Sequence, residues 1–146
     1  MELPLKSFDV LIVGSGLAAL TAALSLPASY KIGIVTKYAL GESASRHAQG
    51  GVAAAISEQD SVENHVKDTS LAGAGVCDRE AVYNILSQAP KAIKWLCEQG
   101  VSLSLYDIHH HLDLRQEGGH GFRRIVHASH ATGLVIMQGL IAKLCA

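Results

Sequence analysis

The strongest constraint on the fold is a strand, a glycine turn and an apolar helix in immediate succession. Phe8-Asp9-Val10-Leu11-Ile12-Val13 runs into Gly14-Ser15-Gly16-Leu17-Ala18-Ala19, which runs into the nearly all-apolar stretch Leu20 to Leu26, closed by Pro27. The first run is too uniformly β-branched and apolar for a half-exposed strand, so it predicts a central parallel strand covered on both faces. The second apolar stretch predicts a buried helix, which Pro27 ends because proline cannot continue it. The expected fold class is therefore α/β, the start of a Rossmann-like dinucleotide domain. A diphosphate is held by backbone N–H groups at a helix N-terminus, where unpaired donors and the helix dipole both favour negative charge. In G-x-G-x-x-A, Gly14 makes the tight turn, Gly16 lets the diphosphate approach, and the Ala19 methyl is tolerated where helix packs on strand. A turn with no ligand is the plain alternative, and the flanking strand and helix argue against it.

Lys31 to Thr36 supplies a second strand through Ile32, Ile34 and Val35. About twenty residues after the glycines, such a strand usually ends in an Asp or Glu that binds the ribose hydroxyls. Here Thr36 and Lys37 stand there, which weakens a nicotinamide-dinucleotide reading and makes Lys37 a candidate contact to ribose or phosphate. A solvated strand-end lysine is the competing reading. Gly41 to Ala54 is then too small and polar for a helix and too long for a turn. Ser43, Ser45, Gln49 and the Gly50-Gly51 pair offer hydroxyl, amide and unobstructed backbone donors suited to wrapping phosphates and a ring edge.

With 49% hydrophobic and 17% charged residues in 146 positions, the chain can bury a real core. Twelve Lys and Arg against 13 Asp and Glu give no electrostatic case for nucleic acid or an anionic membrane. The apolar segment from Val10 to Leu26 is interrupted by Gly14, Ser15 and Gly16, so neither an export signal nor a membrane span is expected. Cys77, Cys97 and Cys145 are widely spaced and form no C-x-x-C pair, as expected of reduced thiols in a cytoplasmic protein. Eight histidines, among them His109-His110-His111, His120, His127 and His130, raise the question of a metal. Three consecutive histidines cannot all face one ion in an extended segment, and no H-E-x-x-H pattern is present, so none is expected. Ala131 to Ala146 reads as a helix without a stop signal, whose Leu140, Ile141 and Leu144 would await the rest of a domain, so a truncated chain is expected.

Three motifs taken together, G-S-G-x-A-A at Gly14, T-K at Thr36 and A-Q-G-G-V-A-A at Ala48, resemble the flavoprotein family of succinate dehydrogenase, fumarate reductase and L-aspartate oxidase. Asp60 to Thr69, Ala72 to Asp78, Trp95 to Val101, and Glu117-Gly118-Gly119-His120 through Ala128 resemble the L-aspartate oxidase branch in sequence and order. The similarity runs from Asp9 to about Ile141, so residues 1–146 are expected to form the N-terminal part of an FAD-binding domain, without the capping and C-terminal helical domains. The resemblance implies FAD contacts at Gly14, Ser15, Gly16, Leu17 and Ala18, at Lys37, and at Ala44, Ser45, Arg46, His47, Ala48, Gln49, Gly50 and Gly51. The family's dehydrogenases bond flavin covalently through a histidine where this chain has Ala44, and His47 is out of register, which implies non-covalent FAD.

The glutamate of E-G-G-H recognises the substrate amino group in the aspartate branch, which implies that role for Glu117. A carboxylate facing an ammonium makes a strong charge-assisted hydrogen bond and repels a dicarboxylate lacking the amine. Without the resemblance, Glu117 reads as an exposed acid paired with Arg115, Arg123 or Arg124. His120 and His127 read equally well as ligand donors or as satisfied interior histidines. The implied activity is oxidation of L-aspartate to iminoaspartate for quinolinate and NAD synthesis, with oxygen or fumarate as acceptor and quinolinate synthase as a possible partner. This chain alone would be inactive; a dehydrogenase or fumarate reductase fragment, or a non-catalytic flavin-binding module, are the alternatives. Two departures stand out: His130 replaces the family aspartate of H-A-x-D-A-T-G, and Ser102-Leu103-Ser104-Leu105 replaces its Phe-Asp.

Elsewhere the sequence predicts a helix over Asp60 to Leu71 capped by Asp60 with Glu63 in a capping box, ending at Ala72-Gly73-Ala74-Gly75. A second helix is capped by Asp78 with Ala81, Val82, Ile85, Leu86 and Ala89 on one face. Pro90 either kinks it or starts a new helix to Gln99, with Gly100 as stop. Val101 to Leu105 and Leu112 to Leu114 predict a small hairpin around Tyr106 to His111.

Overall fold

The computed structural model describes residues 5–108, 111–129 and 131–146. His109, His110 and His130 lie outside them, and with them the triple-histidine question and the His130 departure. Strand β1 (Val10–Val13), helix α1 (Leu17–Ser25) and strand β2 (Ile32–Val35) form the expected βαβ start, with β1 and β2 parallel and Val10 opposite Ile32. Helix α1 uses Leu20 and Ala23 to face the core, where Leu20 is fully buried.

The expectation that β1 is covered on both faces fails. Ile12 is half-buried, but Leu11 is 56% and Val13 83% exposed, and Val35 on β2 continues that open face. Helix α1 covers one side of the sheet, and among the described residues no element covers the other. β1 also pairs with β2 alone, so within the described residues it is an edge strand, not a central one.

A three-stranded antiparallel sheet in the order β3-β5-β4 follows, from β3 (Val52–Ala53), β4 (Leu114–Arg115) and β5 (Ile125–Val126). The hairpin forms at its outer part: Leu105 bridges Leu112, and the Asp113 N–H donates to the Ser104 carbonyl at 2.9 Å. Leu114 departs from the expectation by pairing with Val126 on β5.

Helix α2 (Val62–Ala72) starts one residue later than expected. Its cap is Ser61, whose Oγ accepts the Asn64 N–H at 3.1 Å, so Asp60 is not the cap. The Asp60 carboxylate is committed to a buried guanidinium, leaving the capping to its neighbour. Asp78 does cap α3 (Arg79–Leu86), accepting the N–H groups of Glu80 and Ala81, both at 3.0 Å. The expected apolar face of α3 is only partly used, since Val82 and Leu86 are half-buried while Ile85 is 69% exposed. Pro90 lies in the first turn of a new helix, α4 (Ala89–Glu98), where its missing N–H costs nothing, and Gly100 at φ +84° ends the run.

Helix α5 (Thr132–Leu144) packs on α1. Leu140, expected to await a partner, is fully buried here, with Ile141 and Leu144 against the same core. That core joins Leu20, Ile93, Leu96, Val101, Val126, Ile136 and Met137. Among the described residues no helix is long and apolar enough to cross a membrane.

Candidate functional site

Gly14 leaves β1 at φ +108°, a conformation strained for any residue bearing a Cβ, and its N–H donates to the Val35 carbonyl at 2.7 Å. This places the turn beyond the C-terminal ends of both parallel strands. The Ser15 hydroxyl is engaged within the protein: it is 3.0 Å from Thr36 Oγ1 and accepts the Gly41 N–H at 3.1 Å. Its side chain therefore ties the turn, β2 and the following loop together. Gly16 caps α1 without a side-chain bond. The Leu17 N–H reaches Ser45 Oγ at 3.3 Å, whereas no group among the described residues accepts the N–H of Gly16, Ala18 or Ala19. Unpaired donors and the positive end of the helix dipole thus meet at one place, as an anion requires.

The loop folds over this turn. Ala44–His47 forms a single 3-10 turn, and the Gly133 N–H at the start of α5 donates to the Ala48 carbonyl at 3.0 Å. Gly51 lies so close to β5 that a Cβ would run into the Ile125 side chain and the Val126 carbonyl. Gly50 next to it faces open space. A cleft of about 210 Å³ results between Leu17, Ser45, Ala48, Gly50 and Gly51 on one side and Thr132, Gly133 and Met137 of α5 on the other. Across Gly50 and Gly51 lies a second cleft, also of about 210 Å³, lined by Gln49, Arg115, Glu117, Ile125, His127 and Ser129. The loop and Glu117, 66 or more positions apart in the sequence, are thereby brought to one place.

The remaining candidates are less central. His47 Nε2 lies 2.6 Å from Glu42 Oε1 and Arg46 Nε 3.7 Å from Glu42 Oε2. Ala44, exposed at the start of the turn, offers no side chain that could bond to a ring. Lys37 is exposed beyond β2, its Nζ 5.0 Å from the Tyr38 ring centroid, and lines neither cleft. Glu117 is exposed and makes no ion pair among the described residues, so the reading as an arginine-paired loop acid does not hold. A larger cavity of about 480 Å³ between α4 and the Val101–Leu105 segment is lined mainly by Ile56, Ile93, Val101, Leu103 and Leu112, without converging polar groups.

Arg124 is the group that sequence reasoning placed wrongly. It is fully buried, with Nε 2.8 Å from Asp60 Oδ2, NH2 3.0 Å from Asp60 Oδ1 and NH1 2.9 Å from Asp68 Oδ2. Asp68 also accepts the Gly121 N–H at 2.7 Å, so the cluster anchors the turn that carries Glu117. That backbone bond first, and Arg124 after it, hold the Asp68 carboxyl below its ordinary range. Burial, reinforced by Arg124, lowers the His65 imidazole. His127, unresolved in role from sequence, is 4% exposed and bonds Asp113 Oδ2 through Nε2 at 3.1 Å. Among the described residues no cluster of three or more potential metal ligands occurs.

A parallel βαβ start with free helix N-terminal donors beside a wrapping loop defines a dinucleotide-binding protein. Residues 9–146 match the family described as FAD binding domain, and the chain belongs to that family, with FAD as its cofactor. The L-aspartate oxidase of Neisseria meningitidis serogroup B is 56% identical over 137 residues, 93% of this chain and 27% of that protein. Among solved structures, the Mycobacterium smegmatis Sdh1 complex in the apo form superposes with a TM-score of 0.83 at 28% identity, covering 93% of this chain and 23% of that one. A quinol-fumarate reductase with menaquinol molecules gives 0.83 at 28% identity, covering 94% and 24%. The chain spans about a quarter of the length of the curated relatives it matches.

The residues present fit FAD. Gly16, Ala18 and Ala19 hold donors unpaired among the described residues, Gly50 faces open space and shares a cleft with Leu17 of the same helix start, and Gly50 and Gly51 line both clefts.

Proposed function

We propose that this chain is the N-terminal part of a flavoenzyme that oxidises L-aspartate to iminoaspartate. The observation that carries the reading is the second cleft, which Glu117, without an ion pair among the described residues, lines together with Gln49, Gly50 and Gly51. Backbone donors of Gly16 and Ala18 hold the diphosphate of FAD, Leu17 and Ala44 to Gly51 border its remaining length, and Ser15 and Gly14 fix the turn. Lys37 serves the ribose end. The Glu117 carboxylate receives the ammonium of the amino acid, selecting aspartate over succinate. Oxidation removes a hydride from Cα and a proton from nitrogen, and FAD, when bound, accepts the hydride. Oxygen or fumarate then takes the electrons, and the imine product suits quinolinate formation in the cytoplasm, with quinolinate synthase as consumer. Ala44 supports non-covalent attachment, because no side chain there can bond to the ring.

The test uses the full-length protein. Flavin released by acid precipitation together with aspartate-dependent peroxide supports the reading; flavin retained in the precipitate, or succinate oxidised in place of aspartate, favours a dehydrogenase-type enzyme. That second reading draws on the succinate dehydrogenase and fumarate reductase structures that superpose on this chain. Glu117→Gln is expected to lower aspartate kcat/KM about tenfold to a hundredfold, the worth of one hydrogen bond to a charged group. Fumarate reduction is expected to fall much less, and equal losses would remove Glu117 from amine recognition. The 146-residue chain by itself is expected to yield no peroxide with aspartate.

A further inference from the structure

Among the described residues, His127 finds a partner for only one of its two ring nitrogens. Nε2 bonds the Asp113 carboxylate at 3.1 Å. A carboxylate only accepts, so Nε2 carries the hydrogen, and in that tautomer Nδ1 holds a lone pair. Nδ1 is enclosed, and no group among the described residues bonds to it. Buried polar atoms are almost always paired, since an unpaired one has lost water without replacement. His127 is also among the residues lining the cleft shared by Gln49, Gly50, Gly51 and Glu117. We propose that His127 Nδ1 is a ligand-binding atom of this cleft, accepting a hydrogen bond from an N–H group of the molecule that fills it, with Asp113 fixing the tautomer and angle of the ring. The inference rests on the function proposed above, under which two N–H donors have this chemistry: the ring N–H of oxidised flavin and the ammonium of the amino acid.

Two substitutions separate the ring nitrogens. Asparagine puts its amide near the position of Nδ1 and falls short of Asp113; glutamine reaches the position of Nε2, keeps Asp113 and leaves Nδ1 unreplaced. In the full-length protein, His127→Gln is expected to weaken ligand binding about tenfold, while His127→Asn stays within about threefold of the parent. Titration of the apoprotein with FAD, followed by flavin fluorescence, reads the flavin source. KM for L-aspartate set against inhibition by succinate, which has no amine, reads the amino-acid source. The opposite order, with glutamine tolerated and asparagine harmful, or equal binding by all three proteins, overturns the proposal and leaves His127 as a structural partner of Asp113. If neither variant folds, the 15N resonance of His127 Nδ1 in the parent decides. A shift on adding FAD or, anaerobically, L-aspartate supports the assignment, and no shift with either overturns it. The FAD arm is independent of turnover: flavin bound through His127 in a protein that leaves aspartate unoxidised would sink the proposed activity alone.

Discussion

Replacing Arg124 by methionine tests the buried charge cluster most directly. The guanidinium makes three close contacts to carboxylates, two to Asp60 and one to Asp68, and both the Arg124 and Asp60 side chains are completely enclosed. Methionine fills a similar volume but leaves the Asp60 carboxylate without a countercharge and out of reach of water. Removing one member of such a pair costs about 3–5 kcal/mol, because the remaining charge has been desolvated for nothing. Asp68, 20% exposed and still bonded to the Gly121 N–H, regains part of its solvation and contributes less. Urea unfolding followed by the fluorescence of Trp95, half-buried on α4, reads the loss at neutral pH. The double replacement Asp60→Leu with Arg124→Met leaves no orphaned charge in the enclosed site and is expected to recover about 2 kcal/mol of it. A single-variant loss below about 1 kcal/mol, the range of exposed ion pairs, would refute the reasoning. So would a double variant as unstable as the sum of the two single ones.

Because the folded-state pKa of Asp68 is depressed by the Gly121 N–H and Arg124, its stabilisation is present above the ordinary carboxylate range and is lost as pH falls through the depressed value. Acid unfolding curves of Asp68→Asn are therefore expected to be flatter on that limb than the parent's, and parallel curves would contradict the assignment. Gly51→Ala forces a methyl into Ile125 and the Val126 carbonyl, so FAD affinity of the full-length protein is expected to drop more than tenfold, about 1.4 kcal/mol or beyond, as read by fluorescence titration. Asp78→Ala removes the acceptor for two N–H groups at the start of α3 and is expected to cost about 0.5–2 kcal/mol in the same urea assay.

The order of strand, turn and helix in the βαβ start was legible because its determinants are local: an apolar run, a turn needing positive φ at Gly14, and a proline stop at Pro27; the covering of β1, which depends on distant chain, was not. The Asp78 cap was legible for the same reason, whereas for Pro90 the local pattern allowed both a kink and a new helix start, and the structure has the latter. Asp60 was misread because Asp60 and Ser61 are both good caps, and the choice between them is made by Arg124, 64 positions away, which no local pattern reveals. The gathering of Glu117 with Gln49 to Gly51 followed from family resemblance; no spacing in the sequence implies it. The sequence left His127 between ligand donor and interior histidine, since an orphaned ring nitrogen exists only once the chain is folded around it.

The open face of the β1–β2 sheet bears on synthesis. Leu11, Val13 and Val35 lie exposed on a strand pair whose β1 edge carries no further partner among the described residues. In a protein the length of the relatives, made from the N-terminus at about 5–20 residues per second, this segment leaves the ribosome tens of seconds before the last residues do. Throughout that interval it offers a sticky template for strand addition by neighbouring nascent chains. An edge of this kind is one that chaperone cover would protect during synthesis.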